Sequence, residues 1–547
     1  MYPIGEWMNC LRRVEELRDQ FFDAHADVAW LLCDRHPAQR TAFTVVGSGG
    51  SVSVTFGDLA AASQRYAQAF RAAGVRRGDR VATLMGKGVD LVVTILATWR
   101  LGAVHVPLFT AFGAGAVSER LERSATVLVV ADPEHRHKLA HRGDRAILVT
   151  GTAPATHDGD RLLADAVAAA APEPVERVAV GGDAALVHMF TSGTTGKPKG
   201  VVHPVAYLAG FQAYLEYSVG VTADDRFWCA ADPGWAYGLY TAIAAPMAAG
   251  VSSILLSGGF SAESTWRTLA DHRVTNFAAA PTVFRSLRAS TAPPSDLELV
   301  RASSAGEPLT AEVNDWASRA LGLLVHDHFG QTELGMVLGN HHHPELARPV
   351  KPGSMGRPLP GWSVTVLGDD DRPAPPGVLG RVAIDIAASP LLTFSAYQDQ
   401  DPDHAGRFTP DHRYYLTGDI ARIDDDGDFF FFARDDDVII MAGYRIGPAD
   451  VESVLSRHPA VAECCVVAAP DEVRGEVIEA YVVLRGNHSR SAELPAELQR
   501  FVKDNYAAHA YPRQVHFVAE LPKSSSGKVQ RSALRLQRQA ASGPQTR

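Results

Sequence analysis

Two short apolar runs with one helix-length segment between them constrain this chain more than anything else in it. "DRVATLMG" (79–86) and "TVLVVAD" (126–132) are nearly all apolar apart from one charged end each, and "GVDLVVTILATWRLGA" (88–103) has helical length with apolar residues on every side. Strands that lack an alternating polar face are buried on both sides, which calls for helices above and below a mostly parallel sheet. "FGDLAAASQRYAQAFRAAGV" (56–75) supplies one such helix, with apolar residues three and four apart. A second alternating stretch runs from Val201 to Phe329, with "VSSILLS" (251–257) and "VTNFAAA" (274–280) as strands. From Gly353 to Phe432 the pattern changes to short strands broken by Pro and Gly, a small β-rich subdomain, and a compact unit begins after Arg434. At 547 residues the chain needs more than one core. The expected fold is α/β: a large N-terminal domain (1–434) of layered α/β subdomains plus the β-rich subdomain, and a small α+β C-terminal domain (435–547).

Charge and cysteine usage exclude several classes. A formal net charge of -10 argues against broad electrostatic binding to nucleic acid or an acidic membrane surface. It leaves room for small anions, which local amides and a few placed cations can hold. The five cysteines (Cys10, Cys33, Cys229, Cys464, Cys465) form no CxxC pair, so neither a zinc site nor a disulfide framework is indicated. The N-terminus "MYPIGEWMNCLRRVEELRDQF" is charged and helical in pattern and lacks the apolar centre of a signal peptide. The longest apolar runs are too short to span a bilayer. The expectation is a cytoplasmic protein with no membrane insertion and no nucleic-acid partner.

The densest local signal is "MFTSGTTGKPKGVVH", Met189 to His203. Thr191, Ser192, Gly193, Thr194, Thr195, Gly196, Lys197 and Lys199 crowd glycine, hydroxyl and ammonium groups directly after a short apolar strand. Such a loop can turn tightly and aim amides and hydroxyls at phosphate oxygens while a lysine adds charge. It is not a Walker A loop, because Pro198 stands where that pattern needs its second glycine.

"TSGTTGKPKG" resembles the phosphate-loop signature of the adenylate-forming superfamily, which contains acyl-CoA synthetases, peptide-synthetase adenylation domains and luciferases. Further segments follow in that family's order: "SAGEPL" (304–309), "HDHFGQTELG" (326–335), "YLTGD" (415–419) and "PKSSSGKVQR" (522–531), preceded by "GAVHVPL" (102–108). The resemblance covers nearly the whole chain and implies ATP, Mg2+ and coenzyme A as the molecules handled. It places adenine at Gly306, Glu307 and Pro308, with Asp327, His328, Phe329 and Gln331 on the neighbouring strand. Thr332 suits an α-phosphate oxygen, and Glu333 is a hard oxygen ligand for magnesium. Asp419 and Arg434 are the expected ribose contacts, and Asp436 the hinge acid about which a mobile C-terminal domain turns. For Asp435 and Asp437 a solvated turn is the better reading. Lys528, in a Ser/Gly loop, resembles the lysine that bridges carboxylate and α-phosphate during adenylation.

The implied chemistry has two halves. A carboxylate attacks the α-phosphate of ATP and expels pyrophosphate. The domain then turns and brings "AGYRIG" (442–447) to the adenylate, where the CoA thiol attacks the acyl carbonyl and AMP leaves. Gly443 suits the pantetheine tunnel, Tyr444 is a further expected CoA contact, Arg445 is expected at the 3′-phosphate region of CoA, and Ala280 lines the entry. "DPGWAYGLY" (232–240) resembles the acyl-pocket segment, so Trp235, Ala236, Tyr237, Ala305 and Gly330 are the expected pocket residues. Acetate enzymes of the family carry a tryptophan at the place of Gly330. Its absence predicts an open tunnel and a medium-chain, branched or aromatic acid, although Tyr237 could refill part of the space and restore a short-chain preference.

Two rival readings stay open at this level: an enzyme that loads a carrier protein in trans, and an acetate or propionate ligase. Asp232 does not discriminate between amino-acid and fatty-acid pockets. Acylation of Lys528 by a lysine acetyltransferase, reversed by a deacylase, would switch adenylation off by removing its charge. His341, His342 and His343 lack ligand spacing and are expected to form a polar loop.

Overall fold

The computed structural model describes residues 4–139, 143–152, 157–191, 198–398, 406–441, 444–471, 474–486, 488, 490–507, 509–523 and 529–541. Among these, strands assemble into three sheets of seven, thirteen and five. The seven-stranded sheet holds both opening runs: Arg80–Leu84 lies between Val104–Pro107 and Thr126–Ala131, parallel to both. Helix Val89–Arg100 has every residue from Leu91 to Arg100 buried, as its all-round apolar sequence requires. Arg100, at its end, is taken into the interior by two 2.7 Å hydrogen bonds to Asp34 and one of 3.1 Å to Ser63. Helix Phe56–Ala72 begins on a capping box between Thr55 and Asp58.

The thirteen-stranded sheet departs from the expected division into separate layers. Its parallel part, ending at Arg301–Ala305 and Val325–Gln331, continues through the antiparallel strands Gly335–Gly339 and Ser354–Pro358 into the β-rich region Val364–Arg434. The β-rich subdomain is therefore an extension of the second α/β sheet. That continuity positions the site, since it sets Gln331 beside Asp419.

The five-stranded sheet lies after Arg434, where Val461–Asp471 pairs antiparallel with Gly475–Leu484 over their whole length. It has its own apolar core from Ile439 to Ala510, separate from the large cluster that runs from Cys10 to Phe429. Among the described residues no helix is long and apolar enough to cross a membrane.

Asp437 corrects the expected solvated turn. Its carboxylate accepts a 2.6 Å hydrogen bond from Arg535 and lies 3.6 Å from Arg531, which pins the start of this unit to helix Arg531–Ala541. Asp435 is exposed as expected. The histidine run also differs from expectation. His341 is buried with Nδ1 3.0 Å from Ser218 Oγ, and His342 stacks on His326 with centroids 3.6 Å apart. These rings fill the interior behind strand Val325–Gln331 instead of forming a polar loop.

Candidate active site

The Gly/Thr-rich segment is flanked by two strands that pair with each other. Strands Ala185–Thr191 and Lys199–Pro204 pair antiparallel with Thr191 opposite Lys199. A hairpin reaches the loop and returns from it as strand, unlike the strand-to-helix passage of a Walker A site. Ser192, Gly193, Thr194, Thr195, Gly196 and Lys197 lie outside the described residues. The returning strand carries His203, whose Nε2 donates to the Thr332 carbonyl at 2.7 Å, while Tyr207 Oη donates to the same oxygen at 2.8 Å. With Nε2 protonated, His203 Nδ1 accepts from Tyr240 Oη at 3.0 Å, and burial pushes the imidazole down to about 3, so the ring is neutral. The turn holding Thr332 and Glu333 is thereby fastened to the hairpin.

Glu333 is buried, and its Oε1 accepts a 2.6 Å hydrogen bond from Tyr397 Oη. Its second oxygen accepts none among the described residues. Lys199 lies 4.7 Å from the Tyr397 ring centroid; burial, and then the nearby Arg407, lower its pKa. A half-engaged carboxylate near Lys199 is the kind of hard oxygen ligand a magnesium ion takes. The three-acid cluster found among the described residues, Asp424, Asp426 and Asp428, is filled by the Lys351 ammonium at 2.6, 2.6 and 3.1 Å.

On the other side, Gln331 Nε2 donates at 2.8 Å to both the Thr417 carbonyl and Asp419 Oδ2. Asp419 stands opposite Arg434 in the ladder, and Arg434 Nη1 donates to its Oδ1 at 3.1 Å. Burial raises the Asp419 carboxyl, and the Arg434 charge opposes the rise. Gly418, with φ of +76°, makes this packing possible, because a Cβ there would stand 2.7 Å from Arg407 Nη1 and 3.2 Å from Arg434 Nη2. Asp436 is exposed, 3.9 Å from Arg434 Nε.

At the expected adenine turn, Glu307 faces helix Pro281–Ala289. It accepts from Thr282 Oγ1 at 3.0 Å and from Arg285 at 2.7 Å. Next to this turn a cavity of about 170 Å³ is lined by Leu309, Thr310, Asn314, Asp327, Lys351 and Ser354, among others. Asp327 Oδ1 is buried without a partner among the described residues, and burial lifts that carboxyl well above its ordinary range. A protonated or acceptor oxygen there suits a flat heteroaromatic ring with an exocyclic amine. His328 is corrected as a nucleotide side-chain contact. Its ring points into the core, with Nδ1 2.8 Å from Tyr214 Oη and Nε2 3.1 Å from the Asn340 carbonyl, while Phe329 alternates to the opposite face.

In the expected acyl pocket, Ala236, Tyr237 and Ala305 are buried and Trp235 is half-buried at the start of its helix. Asp232 turns onto its own segment, accepting the Gly234 N–H at 2.8 Å. At Gly330, the position of the expected tunnel, a side chain would meet backbone. A Cβ there would stand 2.7 Å from Met336 Sδ and 2.8 Å from Met336 Cα, and closer still to the Gly335 carbonyl oxygen. The strand doubles back at once and Gly330 pairs with Met336, so the chain itself fills the space into which a side chain at 330 would extend. Ala280 precedes helix Pro281–Ala289 and is half-buried. Gly443 and Lys528 lie outside the described residues. Tyr444 and Arg445 lie in the short strand Tyr444–Ile446, paired with Ile439–Met441. The residues flanking the Lys528 loop, Lys523 and Val529, bridge one another, and Lys523 is held to Glu463 at 2.7 Å.

Sequence reasoning missed four residues that shape this site: His203, Tyr207, Tyr397 and Arg407. His203 closes the Gly/Thr-rich segment and Tyr207 follows four residues later at the start of helix Tyr207–Tyr217, a signal that was legible. Nothing local to Tyr397 or Arg407 points to Glu333, more than sixty positions away.

Comparison with known proteins adds an independent line. The "AMP-binding enzyme" family matches residues 31–388, and the "AMP-binding enzyme C-terminal domain" family matches 450–528. The acetyl-coenzyme A synthetase of Bacillus subtilis (strain 168) is 36% identical over 497 residues, covering 88% of this chain and 84% of that protein. The crystal structure of Brucella canis acyl-CoA synthetase superposes with a TM-score of 0.76 at 41% identity, covering 98% and 99% of the two chains. A benzoate CoA ligase from Burkholderia xenovorans LB400 superposes with a TM-score of 0.80 at 28% identity, covering 93% and 99%.

Proposed function

From the fact that the chain belongs to the AMP-binding enzyme family, we infer the chemistry of its site. It is an AMP-forming acyl-CoA synthetase, an acid–thiol ligase that uses ATP, Mg2+ and CoA. The observation that carries the residue assignments is the double anchorage of Gln331, Thr332 and Glu333. Thr332 is tied to the phosphate hairpin through His203 and Tyr207, and Gln331 to the Asp419–Arg434 pair. One short turn therefore spans phosphate donors, a free carboxylate oxygen and a hydroxyl-binding acid, the set an ATP molecule needs.

In this reading Asp419 accepts the ribose hydroxyls while Arg434 holds its carboxylate. Thr332 Oγ1 donates to the α-phosphate, and Lys199 and the 192–197 loop hold the leaving pyrophosphate. Glu333 would hold magnesium, which when bound neutralises phosphate charge and orients the triphosphate. Lys528 neutralises the charge that gathers as the acid's carboxylate attacks the α-phosphate, and positioning of this kind dominates such transfers. Residues 1–434 and 435–547 act as two bodies about Asp436, a division supported by their separate apolar cores. Rotation withdraws Lys528 and brings Gly443, Tyr444 and Arg445 to the adenylate, where the thiol attacks and AMP leaves. The similar proteins are named as CoA synthetases and ligases, which favours CoA over a carrier protein as acceptor. Acylation of Lys528 would stop the first half-reaction, and a cytoplasmic setting suits free CoA and ATP.

The acid is a medium-chain, branched or aromatic one. Support for this comes from the small side chains of Ala236 and Ala305, since Gly330 opens no space. Pyrophosphate release and acyl-CoA formation with acetate, butyrate, isobutyrate, hexanoate, octanoate and benzoate, with and without CoA, test the reading. CoA-dependent turnover favouring the larger acids is expected. Pyrophosphate release without acyl-CoA would overturn CoA as acceptor, and acetate preference would overturn the acid assignment.

A further inference from the structure

Tyr237 ends a buried hydrogen-bond chain whose proton directions can be worked out atom by atom. The chain runs from Tyr237 through Tyr214 and His328 to the Asn340 carbonyl, with separations of 3.1, 2.8 and 3.1 Å. A carbonyl only accepts, so His328 Nε2 carries the proton. Burial holds the ring neutral, its pKa pushed well below the usual imidazole range, so Nδ1 is a bare lone pair. Tyr214 must donate to it. A phenol has one proton, so Tyr214 can only accept from its other neighbour, and Tyr237 is the donor. The Tyr237 oxygen has then used its proton and keeps its lone pairs. Among the described residues no group donates to it; the Cys229 thiol is near enough to act on both phenols electrostatically but bonds to neither.

We propose that the acyl pocket selects a carboxylic acid bearing its own hydrogen-bond donor, a hydroxyl or a neutral arylamine, which donates to Tyr237 Oη. This rests on the reading of Tyr237 as an acyl-pocket residue. A plain hydrocarbon acid leaves the buried acceptor unpaired, and sites built to bond a substrate hydroxyl discriminate strongly against analogues lacking it. A methyl ether of similar size sets lone pair against lone pair. A full ammonium calls for a carboxylate partner, and this chain ends in a neutral phenol.

The test is kcat/KM for acyl-CoA formation by the full-length enzyme. One series is benzoate with the hydroxy-, amino- and methoxybenzoates; the other is butyrate, 3-hydroxybutyrate and 3-methoxybutyrate. At least one donor-bearing acid is expected to exceed both its unsubstituted parent and its methyl ether by about ten- to a hundredfold. The hydroxy and amino arms identify the donor. Tyr237→Phe removes the oxygen and brings that ratio close to one. Tyr214→Phe frees the Tyr237 proton and moves the preference toward the ether. The wild-type series decides the matter even if neither variant folds. Acyl-CoA formation that favours the unsubstituted parents, or treats donor and ether alike, overturns this inference and leaves the ligase reading standing. Failure of every acid to give acyl-CoA or pyrophosphate defeats the ligase reading itself.

Discussion

Replacing Gly330 by alanine adds one methyl group, and the structure says where it goes. Its carbon would sit 2.7 Å from Met336 Sδ and 2.8 Å from Met336 Cα, nearer still to the Gly335 carbonyl, where relaxed contacts are about 3.5–4.0 Å. The thioether can swing aside, but the other two atoms are backbone of a strand that returns after a three-residue turn. The methyl group must therefore open the pairing of Gly330 with Met336 and of Gln331 with Gly335. Overpacking against backbone lies at the upper end of its usual range, about 3 kcal/mol. That turn also carries Thr332 and Glu333, and a displacement near 1 Å costs on the order of a hundredfold in rate. Gly330→Ala should thus lower the denaturant midpoint of the N-terminal unit and cut ATP–pyrophosphate exchange by about two decades. A double-mutant cycle with Met336→Ala should recover less than half of the stability loss, because the sulfur is the one yielding contact. If Gly330→Ala stays within about 0.5 kcal/mol of the parent and exchanges pyrophosphate normally, the space is open and the tunnel expectation returns.

Lys528→Ala is expected to lower pyrophosphate exchange by about 10²–10³ while thioester formation from supplied acyl-adenylate and CoA stays within about tenfold; equal losses in both would remove the half-reaction assignment. Asp419→Asn removes a charged acceptor from Arg434, typically about 1.5–3 kcal/mol, so the KM for ATP should rise about 10- to 100-fold in initial-rate assays with the acid saturating. An unchanged KM would sink the ribose assignment. Burial pushes His341 down to about 3, so the folded protein keeps it neutral where the unfolded chain, near 6.5, takes up a proton. Its stability contribution is complete above about pH 6.5 and is lost as pH falls toward 3. His341→Asn should therefore flatten the pH dependence of unfolding between about pH 6 and 4 by up to about 1.4 kcal/mol per pH unit. Parallel slopes in urea titrations across that window would contradict it.

Much of the site could be read from the sequence because its key residues sit in short local segments. Asp419 and Arg434 lie on neighbouring strands of one short antiparallel return, where a bulge between Ile420 and Ala421 sets them opposite one another, and the Gly/Thr-rich loop announces itself by composition. What escaped reading depends on distant pairing. Gly330 looks like missing bulk until Met336 is known to fold back on it. His341 and His342 look like a polar run until His326 and Ser218 are brought beside them. Asp437 looks solvated until a helix nearly one hundred residues later supplies Arg535. The β-rich region reads as a separate unit because the single ladder joining it, Gly335–Gly339 to Ser354–Pro358, rests on only two paired positions.

Arg434 is the last residue of its strand, and Asp436 follows two residues later in the same short turn. In the proposed function, a guanidinium that grips the nucleotide and the joint about which the domain turns thus share one stretch of backbone. If the two domain orientations set different torsions at Asp435–Asp437, they also set different strengths for the Arg434–Asp419 grip. By reciprocity, whatever nucleotide is gripped then biases the orientation by the same free energy. Exchanging ATP for AMP would act as a thermodynamic clutch, favouring one orientation before pyrophosphate leaves and the other afterwards.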